Sequence, residues 1–233
     1  NNSNAFYAER ASAVDALIYM GDTGIKAVAG AYQEIGSAGD DLRLKANLFK
    51  RLGGTALKAD LLPTLFCELL TAKVKSSFDV LYEVSACVPD HDVGRTLDQL
   101  ATSLSAMPEE PVRGGVWSLE AEFDRLLFRA FDIEKDLEGP RLITWLECRK
   151  SIANLFGDSR AQEVHTQLAS YPDTCARAMT AALQELKIEE SIWSCTHRLR
   201  GLGLLTWGDE TFFLHLVIAE MQNAGSVERK VHL

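Results

Sequence analysis

The stretch that decides the fold is Pro172–Gly203, PDTCARAMTAALQELKIEESIWSCTHRLRGLG. Pro172-Asp173-Thr174 opens a helix, because a proline in the first turn gives up an N–H that would have no partner there anyway. The apolar spacing behind it predicts a helix to about Ile188. A second helix is predicted around Ile192–Leu199, with Gly201 and Gly203 as its stops. Nothing in the stretch alternates with a period of two, so strands are not expected.

The same punctuation extends in both directions. Toward the end of the chain, Asp209 is predicted to cap a closing helix, Glu210–Asn223. Toward the start, Asp158 or Ser159 opens a short helix to Ser170, and Pro140 opens one ending near Gly157. Ser118 begins a helix reaching Leu137, and Asp92 caps one from Val93 to Met107 before a stiff loop at Pro108 and Pro111. A helix over Phe78–Cys87 is expected to close at Pro89. Leu44, Leu48, Leu52, Leu61 and Leu65 mark a longer segment opened by Ser37 or Asp40. Pro63 should kink or split it, since an interior proline costs about 3 kcal/mol. Ile25, Val28, Ala29, Tyr32 and Ile35 define a helix capped by Asp22 or Thr23 and stopped at Gly36. Phe6, Ala13, Leu17 and Met20 mark the first stripe, ending at Gly21. The expectation is an all-α fold, an antiparallel array of about nine to ten helices. It is read as one domain over 1–224 with a short, partly basic tail over 225–233, and it shows no fixed internal repeat.

Composition narrows the function classes. The 233 residues are 47% hydrophobic and 24% charged, which argues against wholesale disorder. A formal net charge of −9 argues against nucleic-acid binding, which needs a basic face, but leaves room for a local cluster of cations. The five cysteines stand far apart without a C-x-x-C pair, so they read as buried thiols of a reducing compartment. No signal-peptide pattern follows Asn1 to Asn4, and no apolar run reaches the roughly 18 residues of a membrane span. A cytoplasmic location without membrane contact is therefore expected.

Catalytic chemistry finds no support. His91, His165, His197 and His215 are isolated, with no metal-ligand spacing, so neither metal nor cofactor is expected. Cys195 and His197, two apart on a helix, point about 200° away from each other and cannot act as a local nucleophile–base pair. Asp40-Asp41 lacks the third carboxylate of a magnesium-binding aspartate motif. Gly53-Gly54 with Lys58 lacks the preceding strand and following Ser or Thr of a phosphate loop.

The order of elements in the first seventy residues resembles the amino-terminal region of 14-3-3 proteins. A short helix runs from Ala8-Glu9-Arg10-Ala11 to Met20, and a second from Ile25 to Ile35. The turn Ala38-Gly39-Asp40-Asp41-Leu42-Arg43 then leads to Phe49-Lys50 with Gly54. The closing helix from Asp209-Glu210-Thr211 to Asn223 is also similar. The resemblance implies a non-catalytic, dimeric adaptor that binds phosphoserine or phosphothreonine peptides of client proteins in a helical groove. Lys50 matches the first phosphate-binding position. The second, seven residues on, is Leu57 rather than Arg, with Lys58 adjacent. With Asp124 in register, Leu127 and Phe128 stand where the family has Arg and Tyr, and Arg129 lies next to them. Asn154 and Asn223 are the implied backbone anchors, with Glu220 at the second position in the alternative register. The implied partners are phosphorylated clients, a second copy through the first helices, and the chain's own tail around Arg229-Lys230. The competing reading is a helical scaffold or regulator without phosphate recognition, such as a tetratricopeptide-like array or a bacterial secretion gatekeeper.

Overall fold

The computed structural model describes residues 2–36, 85–105, 117–134, 136–156, 161–186, 192–205 and 210–223, with helical residues at 44, 45, 48, 49, 61, 62, 64, 65 and 68. Among these the fold is all-α, with nine α-helices, two short 3-10 turns and no strand. The chain forms two compact units, 1–129 and 130–233.

In the first unit α1 (Asn2–Tyr19) packs on α2 (Asp22–Glu34) across a turn at Met20 and Gly21. Neither Asp22 nor Thr23 is the cap. The N-cap position is Gly21, without a side-chain cap bond, and Asp22 lies inside the first turn, where its charge favours the helix dipole. Val28 and Tyr32, one turn apart, are the buried face of α2. The α1 stripe is covered only in part: Leu17 is half-buried, whereas Met20 is 67% exposed. Leu44, Leu48 and Leu65 are buried as their spacing predicts, together with Phe49 and Leu62. Pro63, Pro108 and Pro111 lie outside the described residues.

Of the predicted helix ending at Cys87, only Ser85–Cys87 is described, and it is a 3-10 turn. A second 3-10 turn, Asp90–Asp92, leads into α3 (Val93–Ser105). Val93, Leu97, Leu100, Ala101 and Leu104 are the buried stripe of α3 at helical spacing. The Asp92 carboxylate, 2.9 Å from Arg95, forms an ion pair, while its backbone carbonyl accepts from the Thr96 hydroxyl at 2.8 Å. Helix α4 (Trp117–Ile133) buries Phe123, Leu126, Leu127 and Ala130. It stops short of the expected Leu137, which is buried in a turn closed by its N–H on Glu134 O.

In the second unit α5 (Gly139–Phe156), α8 (Ile192–Gly201) and α9 (Glu210–Asn223) all pack on α7 (Pro172–Gln184). The reason lies in side-chain size. Besides Met179 and Leu183, α7 buries only Thr174, Cys175, Ala178, Ala181 and Ala182, so backbones can approach from three sides. Gly139 extends this: a Cβ there would stand 2.3 Å from Arg177 O. Helix α7 ends at Gln184 rather than Ile188, with Glu185 N–H still donating to Ala181 O. The short α6 (Ala161–Leu168) precedes α7.

Candidate functional site

The side chains of Lys50, Lys58 and Asn223 lie outside the described residues, although Asn223 is the last residue of α9. Phe128 and Arg129 are half-buried on α4, in the first unit. Asn154 is exposed on α5, in the second.

Arg129 is already engaged. Its guanidinium donates to Ser85 O at 2.7 Å and Val88 O at 2.8 Å, and it pairs with Asp90. Glu122, two turns earlier on the same helix, accepts the Ser85 N–H at 2.8 Å and pairs with Arg125. One face of α4 thus fastens the 85–90 segment at both ends, the planar guanidinium fork matching two adjacent carbonyls. A phosphate at Arg129 would have to replace those carbonyls. Asp124, 1% exposed, is buried in the same helix.

The second unit contains a pocket of about 340 Å³, with a wall that includes His165 and Leu168 of α6, Cys175 and Met179 of α7, Leu204 and Phe212. Local backbone chemistry builds it. Helix α8 ends in a Schellman motif: Gly203 takes φ 76°, its N–H donates to Arg200 O at 3.0 Å, and Leu204 N–H donates to Leu199 O at 3.0 Å. Leu199 and Leu204 are both buried, which supplies the apolar contact that accompanies this motif. The motif turns the Gly203 carbonyl toward α6, where it lies 2.9 Å from His165 Nδ1. A carbonyl only accepts, so Nδ1 carries a proton, and Nε2 is left with a lone pair whenever the ring is neutral. Cys175, 7% exposed, donates its thiol to Leu168 O at 3.4 Å, which ties α7 to the end of α6.

Phe212, on the wall of this pocket, is 46% exposed. Elsewhere around the same helix Leu214 and Ile218 are 56% and 43% exposed, while Phe213 and Val217 are buried. Helix α9 is therefore apolar on both its packed and its open side, a pattern ordinarily found where a helix is covered all round. Trp193, on α8, is 70% exposed, with its ring edge-on to His197 at 3.9 Å between centroids. The first unit has its own apolar hollow of about 410 Å³, whose lining includes Val14 of α1, Ala31 of α2, Leu44 and Leu48.

Among the described residues no three His, Cys, Asp or Glu side chains gather as a metal site, and no helix is long and apolar enough to cross a membrane. In the sequence His165 stands isolated from other candidate ligands. The signal that could have flagged it is the α8 stop at Gly203, but its carbonyl partner is 38 residues away in the chain. No protein-family model, no curated protein and no solved structure matches the chain.

Proposed function

We propose that this chain is a non-catalytic adaptor that docks segments of client proteins. The observation that carries the reading is the exposed apolar surface of α9: Phe212 reaches the pocket wall, and Leu214 and Ile218 are exposed on a different side of the same helix. Isolated exposed apolar residues are common, but an exposed aromatic ring at a formed pocket, with two further exposed apolar residues on its helix, supports a docking role.

The resemblance to 14-3-3 proteins supports phosphoserine or phosphothreonine as the recognised group. Lys50 and Lys58 are the cations that the resemblance implies for it. The same resemblance supports a homodimer through α1, and the exposure of Tyr19 (94%) and Met20 (67%) fits that role. The basic tail around Arg229-Lys230 acts as an internal competitor for the groove. The reading as a scaffold without phosphate recognition is favoured by one observation, the engagement of Arg129 with Ser85, Val88 and Asp90.

Fluorescence anisotropy decides between these readings, using a labelled peptide with Arg upstream of its serine, phosphorylated and unphosphorylated. The adaptor reading expects the phosphorylated form to bind at least tenfold more tightly, an advantage lost in Lys50→Glu/Lys58→Glu and increased on truncation after Ala224. Equal affinity for the two forms leaves the scaffold.

A further inference from the structure

Resting on the docking reading above, we propose that the pocket of the second unit takes a tryptophan side chain of the client, and that His165 selects the indole by accepting its N–H. Three features of the wall point to this occupant.

The first is size. At about 340 Å³ the pocket stands at the lower end of ligand sites, which span roughly 300–1,000 Å³, so it suits one bulky side chain rather than an extended cofactor.

The second is the character of the lining. The Cys175 and Met179 sulfurs and the Phe212 ring favour an aromatic guest over an aliphatic one, through sulfur–aromatic and edge-to-face contacts.

The third is hydrogen-bond complementarity. Two polar pairs of the wall are internally closed, His165 Nδ1 on Gly203 O and Cys175 Sγ on Leu168 O. With Nδ1–H on the carbonyl, Nε2 is the acceptor whenever the ring is neutral, and no hydrogen bond reaches it among the described residues. Indole is the side chain that joins the largest apolar area to a donor with no acceptor of its own. A phenyl or isobutyl group would leave Nε2 without a partner once water is expelled, and a desolvated, unpaired acceptor is costly. A second copy of the chain is the poorer occupant. Phe212, Leu214 and Ile218 are each only about half exposed, far short of the roughly 800 Å² per partner of a stable interface.

The test is an NMR titration of the full chain with N-acetyl-tryptophanamide, its 1-methylindole analogue and N-acetyl-leucinamide, read on the methyl groups of Leu168, Met179 and Leu204. The tryptophan amide is expected to shift these methyls and to bind at least fivefold more tightly than the methylated analogue, with the leucine amide weaker still. In His165→Asn, where the amide nitrogen can replace Nδ1 on Gly203 O but nothing replaces Nε2, the two indoles are expected to bind alike. Ala169→Phe, a change at an exposed position of the lining, is expected to abolish the shifts with all three probes. Equal binding of the two indoles to the wild type overturns the role of His165. Leucine amide binding as well as tryptophan amide overturns the indole assignment and leaves an apolar dock, so the adaptor reading survives. If none of the probes shifts the methyls, both the indole assignment and the docking role of this pocket fall.

Discussion

Lys45 shows what a single residue can hide. It sits beside Leu44 in a leucine stripe, yet it is 4% exposed, its ammonium 2.7 Å from the Glu68 carboxylate and 5.1 Å from the centre of the Tyr32 ring. Burial, and then the charge of Glu68, raise the Tyr32 phenol far above its ordinary range, so the ring enters this cluster neutral. A buried ion pair adds little over an apolar pair, but removing one partner strands the other charge. Lys45→Met should therefore cost about 2–4 kcal/mol in urea denaturation, and Lys45→Met/Glu68→Leu should recover most of it. An equal loss in the double variant would show that the pair itself, not the stranded carboxylate, sets the cost. Tyr171 is the pH-dependent counterpart. Its hydroxyl donates to Asp132 at 2.7 Å, and burial, that hydrogen bond and the Asp132 charge together push its pKa from 10.0 up to about 12. A phenol held above its unfolded value contributes stability that is complete below pH 10 and is lost as pH rises through about 12. The partly exposed setting holds that contribution to less than about 1 kcal/mol. Absorbance titration at about 295 nm should lose a late-titrating phenol in Tyr171→Phe, and the variant's stability should fall less steeply over this window.

Helices were legible where their signals are local, and less so where a distant group decides. Pro172 at the first turn, the Gly203 stop and the span Glu210–Asn223 all stand as the sequence predicts. Where α4 and α7 end was not legible. Leu137, past the end of α4, is held at its carbonyl by Arg177 Nε at 3.1 Å, a contact spanning 40 residues. The cap of α2 was missed because Gly21 enters with φ 72°, a geometry that leaves the side chain of Asp22 inside the first turn. Gly203 and Gly139 separate two kinds of glycine requirement. Gly203→Ala is strained by its positive φ alone, with a loss of about 1 kcal/mol, and Gly203→Asn should recover part of it. Gly139→Ala faces the Arg177 carbonyl instead, so α5 must move off α7, and the loss should exceed that of Gly203→Ala. Thermal denaturation of the two variants side by side checks the order; the reverse ranking would place the tighter constraint at the α8 stop.

At the scale of the whole molecule, periodicity suffices for the fold class because each helix declares its buried face locally. A binding site is a convergence of side chains from separate elements, and here α6, α7 and the turn after α8 meet at His165 without any shared motif. The α1 stripe gives the same lesson in reverse. Leu17 and Met20 belong to the apolar stripe of α1, but the chain on its own covers Leu17 in part and leaves Met20 and Tyr19 open to solvent. A helix that spends apolar residues on an open face is either solvated at a small cost or covered by a partner. With −9 net charge, two copies repel at long range, so association through this face depends on apolar contact and tightens as salt screens the charge. Multi-angle light scattering should thus find a dimer whose population rises with ionic strength. Met20→Asp, at an exposed position outside α1 proper, should yield a monomer with unchanged helical circular dichroism. A wild type that stays monomeric at all salt concentrations, or a Met20→Asp variant that stays dimeric, would remove α1 as the contact surface while leaving the pocket at His165 to be judged by its own titration.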